Sequence, residues 1–215
     1  MTTVTDPDRV HALLGDPVAP VPFATSGVAW LRAHVARFAS GEEHRRRRAR
    51  AVAELERIPP AVLVRRAAER GGHPVEVLAD ALGLPVRLAD VQAVAASYQP
   101  HTTVTPEADE AVARLVATAG GEWDERTAAR IGLLVQACDA TATLVRRARD
   151  RGMKVEDVLR DDPPVRFTRR APLHGGTVVL DLATAGLPFG AGPHACPGRD
   201  HALALADALI SREPS

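Results

Sequence analysis

Cys196 is the residue of this chain whose surroundings are most suited to chemistry. It stands in the run FGAGPHACPG, from Phe189 to Gly198. A reactive or ligating thiolate needs positive surroundings, and the residues from Pro197 to about Ser211 read as a helix whose N-terminal amides supply them. Pro197 suits the first helical turn, where its absent N–H takes nothing from the ladder. Gly190, Gly192 and Gly198 permit positive φ values and close approach of backbone amides to the sulfur. Two other groups have useful spacing. His44 and Arg48 lie four apart and share a helical face. Asp139 and Thr141 sit inside an apolar helical stretch, either as proton-handling groups or as polar residues satisfied by backbone.

The Phe, Gly, Gly, His, Cys and Gly of this run occupy the positions that mark the heme-binding loop of cytochromes P-450. The chain's own frequencies of those residues give a chance match of roughly one in a million over its length. A buried cysteine beside a glycine-rich turn is the alternative. The resemblance implies heme b held by Cys196 as axial thiolate, with Phe189, His194 and Gly198 contacting the cofactor. Such a ligand pushes electron density onto iron and favours O–O cleavage. Gln136 to Thr141 resembles the family's oxygen-activation segment, which implies Thr141, with Asp139, as the proton-relay pair. Asp139 precedes the threonine by two residues, and a helix puts such neighbours on different faces. His44 and Arg48 resemble the His-x-x-x-Arg pair that contacts a heme propionate. Arg169 or Arg170 is the strand arginine for the same purpose, and the sequence leaves the choice open. Asp157 to Ala171 resembles the Glu-x-x-Arg helix and its Pro-Pro exit. Asp157 replaces the glutamate, one methylene shorter, so it can pair with Arg160 but not with the usual buried geometry.

These groups need a scaffold, and the pattern predicts a mainly α fold with a small β element. It would be a reduced cytochrome P450-like fold built around a long central helix and the cysteine loop, a single truncated domain over 1–215. Helices are expected at Asp6–Gly15, Val28–Phe38, Glu42–Ile58, Ala61–Arg70, Val75–Leu82, Leu88–Tyr98 and Glu107–Ala119. The central helix runs from Asp124 to about Arg151, roughly 40 Å at 1.5 Å per residue, with Gly152 as its stop. Its middle, Ile131 to Val145, is apolar on nearly every side, which predicts burial. Strands fit Val165–Arg170 and Thr177–Leu182. The chain has about half the family's usual length, so deletions are expected. The stretch before Asp6 is too short for N-terminal strands and a first helix, and 15 residues separate Thr141 from Asp157. Only Asp181 to Leu187 joins the last strand to the loop, and 19 residues follow Cys196.

Composition bounds the partners. Lys plus Arg equals Asp plus Glu at 27 each, so no global field draws the chain to nucleic acid. Aromatic content of 3% argues against nucleic acid further. No run of about 20 apolar residues and no leader pattern occur, which reads as cytoplasmic with no membrane association. Arginine-rich, alanine-rich usage suggests a bacterial source. The run HRRRRAR at 44–50 is either a solvated face or a basic surface for an acidic ferredoxin-type redox partner. The expected function is a heme-thiolate monooxygenase or peroxide-using oxidoreductase acting on a small-molecule substrate in specialised metabolism. The alternatives are a noncatalytic P450-like auxiliary protein that binds a partner enzyme such as a glycosyltransferase, and a heme-binding sensor or carrier. Homodimerisation would cover apolar helix faces left bare by the deletions.

Overall fold

α8 (Glu125–Arg151) sets the plan of the molecule. Asp124 accepts a hydrogen bond from the Thr127 amide at 2.8 Å, starting the helix. Gly152 ends it in the left-handed region, φ +60°, which a side chain would resist. In the computed structural model, which describes residues 1–212, α8 packs against α3 (Gly41–Glu56), α5 (Pro74–Ala81), α6 (Leu88–Ser97) and α10 (Arg199–Ile210). Along it, α10 also covers α4 (Pro60–Arg70), and α2 (Gly27–His34) lies on α7 (Pro106–Thr118). By length and composition α8 could cross a membrane, but 56% of its most apolar window is buried inside the protein.

The remaining elements form a smaller layer. β1 (Thr2–Val4) pairs in parallel with β3 (Val178–Asp181), which pairs antiparallel with β2 (Phe167–Arg170), in the order β1-β3-β2. α1 (Pro7–Gly15) adds Val10 and Leu14 to the apolar cluster of Val4, Leu180 and Leu182. A separate, larger cluster fills the helical layer, from Val28 and Trp30 through Leu134 and Cys138 to Leu209. The cysteine loop runs along the seam. A Cβ on Gly192 would lie 3.5 Å from Gly15, beside the small cluster, and one on Gly198 would lie 3.7 Å from Leu55, beside the large one.

The expected helices form within one or two residues of their predicted ends, with three instructive differences. The helix expected over Val28–Phe38 ends at His34, Val35 is extended (φ −103°, ψ 157°), and a 3-10 turn follows at Ala36–Phe38. Val35 is there drawn towards α8, where a Cβ on Gly132 would sit only 3.0 Å from its Cγ1. The stretch before Asp6, expected to be too short for a strand, does form β1, because β3 offers it a free edge. Third, α10 starts at Arg199 rather than Pro197, since Gly198 (φ −98°, ψ 23°) is not helical. α8 passes to α9 (Val155–Asp161) through three residues. Exposed large apolar side chains include Phe167 on β2, Leu173 just after it, Val64 on α4, and Phe23, whose ring meets His34 of α2 with centroids 5.9 Å apart.

The arginine run is largely committed within the fold. Glu125, at the start of α8, receives hydrogen bonds from Arg46 at 2.7 Å, Arg47 at 2.9 Å and Arg50 at 3.3 Å. Glu54 answers from α3 to Arg126 at 3.3 Å and Arg130 at 3.5 Å. The reciprocal pairs fix α3 against α8, and Arg45 bonds to Glu42 on the exposed side. Hydrogen bonding from Arg46, aided by Arg47, lowers the Glu125 pKa to about 2 from the 4.5 of a free glutamate. A depressed carboxylate pKa contributes stability that is full above the unfolded value and is lost as pH falls through the folded one. Stability should therefore decline between about pH 4.5 and pH 2. In Glu125→Gln, thermal melts should show a lower Tm at pH 7 and a flatter decline over that acid window.

Candidate functional site

The loop is shaped by a series of tight turns leading out of β3. Asp181 accepts from the Thr184 amide and hydroxyl, both at 3.0 Å, turning the chain as it leaves the sheet. Gly190 (φ +70°) and Gly192 (φ +65°) then bend it back, and the Cys196 amide closes the bend on the Phe189 carbonyl at 2.9 Å. The Arg199 guanidinium lies 5.7 Å from the Phe189 ring centroid, over the same bend. The Gly198 amide turns toward the sulfur and favours the thiolate. Cys196 is exposed as a residue, but desolvation of its sulfur raises the thiol pKa, with Gly198, Arg48 and Arg37 opposing that shift. Cys138, by contrast, is fully buried in α8, and burial pushes its thiol up to about 11.

Four of the predicted residues converge around this loop. Arg48 donates to the Ala195 carbonyl at 2.7 Å, one residue from the cysteine. His44 is buried, and its ring stacks on that of His194 with centroids 4.2 Å apart. His194 lies 3.0 Å from the Ala39 carbonyl through Nε2. A carbonyl only accepts, so Nε2 carries the hydrogen and Nδ1 is left to accept from Arg170 at 3.4 Å. Arg170 also donates to the Asp16 carbonyl at 2.5 Å. Strand alternation decides between the two arginines geometrically: Arg170 is buried at the loop, while Arg169 points to the other face, is exposed, and lies near His101.

The electrostatics of this cluster are one-sided. Arg48 and Arg170 have no carboxylate within ion-pair distance among the described residues, whereas Arg46, Arg47, Arg126 and Arg130 all do. Burial lowers the pKa of both histidines: His194 falls to about 4, with Arg170 and His44 adding to the effect, and His44 is lowered further by Arg48 and Arg170. Both rings are neutral at pH 7. The Nε2 of His44 and the Nε of Arg170 are buried without hydrogen-bond partners. Buried donors in that condition carry a desolvation cost that an anionic acceptor would remove. Behind the loop, His201 reaches from α10 to the Leu55 and Ile58 carbonyls at 3.1 and 3.0 Å, tying α10 to the end of α3.

The other predicted residues lie elsewhere. Thr141 is buried within α8, while Asp139 is exposed on another side of the same helix, near His73. The helix thus separates the two. Arg160 does pair with Asp157 at 2.8 Å, but also with Asp161 at 2.9 Å, and is 67% exposed. The pair is a surface feature, without the buried geometry the family uses. Arg37, which sequence reasoning missed, faces the loop from the 3-10 turn. No spacing motif marks it, because the turn rather than a helix repeat puts it there.

The helical bundle thus carries a glycine-bent cysteine loop at a helix start, with arginines and neutral histidines gathered around it. Its fold is that of the cytochromes P450. Solved structures similar to this chain include P450 RauA complexed with a biosynthetic intermediate of aurachin RE, at TM-score 0.70 and 16% identity, covering 97% of this chain and 82% of that one. CYP109E1 from Bacillus megaterium in complex with testosterone has TM-score 0.68 at 16% identity, with the same coverage. P450BioI, in complex with an acyl carrier protein bearing hexadec-9Z-enoic acid, has TM-score 0.65 at 16% identity, again covering 97% and 82%. No family model matches the sequence, and no curated protein sequence does.

The two thiols provide a direct check on the placement of the loop. Under native conditions one thiol per chain should react with Ellman's reagent, and Cys196→Ser should abolish that reaction. Both thiols should react in denaturant. A native Cys196→Ser protein that still released one equivalent would contradict the arrangement.

Proposed function

We propose that this protein is a heme-thiolate oxidative enzyme, a monooxygenase or peroxide-using oxidase, acting on a small organic molecule in bacterial specialised metabolism. The observation that carries the reading is the convergence of an exposed thiol with the buried Arg170 and the half-buried Arg48, neither of which has a carboxylate of its own among the described residues. That donor set fits heme b. Cys196 would hold its iron, and its two carboxylates would engage His44, Arg48 and Arg170, with His194 set beside them by its bonds to Ala39 and Arg170. Bound heme with a thiolate ligand supplies activation of dioxygen or peroxide.

The chain's own residues would do the rest. The Gly198 amide and the α10 N-terminus would favour negative charge on the sulfur, against the burial that pushes its thiol pKa up. The Phe189 carbonyl accepts from the Cys196 amide and holds the loop closed around the cysteine. Thr141 is the proton-handling residue. Asp139, on an exposed side of α8, would act as a solvent-side donor rather than as its hydrogen-bonded partner. Electrons would come from a ferredoxin-type partner of the cytoplasm, or peroxide would supply both oxygen and electrons.

A second reading, a noncatalytic P450-like partner protein, is favoured by one observation. Arg48, His194 and Arg170 already donate to the carbonyls of Ala195, Ala39 and Asp16, so the loop is knitted without a ligand. Expression with heme supply, followed by reduction under carbon monoxide, separates the two. The enzyme reading expects a thiolate-type Soret band that Cys196→Ser lacks, and at least severalfold lower heme content in Arg48→Ala and Arg170→Ala. A wild-type protein without the band, or without heme, supports the partner reading instead.

A further inference from the structure

The cationic cage has a member that no motif marks. Arg37 sits on the 3-10 turn Ala36–Phe38, whose next residue, Ala39, accepts the hydrogen bond from His194 at 3.0 Å. Its positive charge is felt at Cys196, His194, Arg170 and the buried hydroxyl of Tyr98, so it lies among all four. None of these neighbours neutralises it. Arg37 has no ion pair among the described residues, and its only hydrogen bond, to the Gln99 amide oxygen, is long at 3.4 Å. Its Nε is buried without a partner, as is that of Arg170. The Tyr98 hydroxyl, in a side chain only 2% exposed, is also unpartnered.

The orientation of Arg37 is nevertheless fixed. The guanidinium carbon lies 5.7 Å from the centroid of its own neighbour Phe38, and the Phe38 ring in turn meets Tyr98 at 5.3 Å. A guanidinium seated on an aromatic ring, with its Nε edge free, is preorganised to grip a carboxylate side-on. Burying it unpaired would otherwise be costly, since no acidic group compensates.

Resting on the heme reading above, we infer that Arg37 is a further carboxylate-binding residue of this site and that it grips a porphyrin propionate together with Arg170. Gln99 and Phe38 position it, and the turn at Ala36–Phe38 exists to deliver it. The ligand chemistry is specific: a carboxylate on the rim of a flat, largely apolar ring.

The test compares hemin with hemin dimethyl ester, in which both carboxylates are blocked. Binding of each to the metal-free protein is measured by Soret titration for wild type, Arg37→Gln and Arg37→Lys, with circular dichroism to confirm folding. Arg37→Gln should weaken hemin binding about tenfold or more, the usual consequence of losing a charged hydrogen bond. It should leave the ester unchanged, and Arg37→Lys should recover part of the loss. Equal losses for both porphyrins, or no loss for either, would overturn the assignment. The heme-thiolate reading is judged separately on the wild type. If hemin binds without a thiolate signature, that reading fails while the acid–ester comparison still reports on Arg37. If neither porphyrin binds, both fail.

Discussion

Positive charge drawn partly out of water without a carboxylate is the constraint on which the rest of the structure turns. Arg37, Arg48 and Arg170 surround the cysteine loop, and two neutral histidines fill the space between them. Desolvating these guanidinium groups, Arg170 most fully, is unfavourable, and the protein offsets it with carbonyls rather than acids. Carbonyl oxygens orient a guanidinium without cancelling its charge. The loop therefore remains electropositive, as a thiolate requires. Elsewhere the same residue type is used differently. At the α3–α8 contact, Glu54 and Glu125 pair with five arginines across it and turn charge into structural adhesion.

Much of the scaffold was legible because its signals are local. Asp6, Thr105 and Asp124 cap helices through contacts three residues away, and Gly152 stops α8 through its own backbone preference. The cysteine loop was legible for a similar reason, since each glycine does its work within ten residues of the sulfur. Long-range placement was less readable. Strand spacing alone could not choose Arg170 over Arg169, because the choice depends on which face of β2 meets the loop. The break at Val35 depends on the absence of a side chain at Gly132, almost a hundred residues away. Arg37 was invisible for that reason: the turn that presents it is a product of tertiary packing.

The seam position of the loop gives the shortened connections a physical meaning. One edge of the loop rests on α1 and the small sheet, and the other on α3 and α10. β1 matters here more than its three residues suggest, because it adds the edge strand that steadies β3, from which the loop departs. The polar exit of α9 is anchored independently, through Arg147 and the Asp162 and Pro163 carbonyls at 2.8 and 3.0 Å.

His201 gives this design a gauge. The sulfur belongs to the segment that leads into α10, while most of the surrounding charge is carried on α3 and the turn before it. Nothing covalent near the loop holds those two bodies at a set separation. The His201 imidazole, reaching the carbonyls of Leu55 and Ile58, does so together with the Arg48 contact to Ala195, acting as a spacer between α10 and the end of α3. The electrical environment of Cys196 is thus regulated by a dimension, the width of one ring, at a point several residues removed from the sulfur itself.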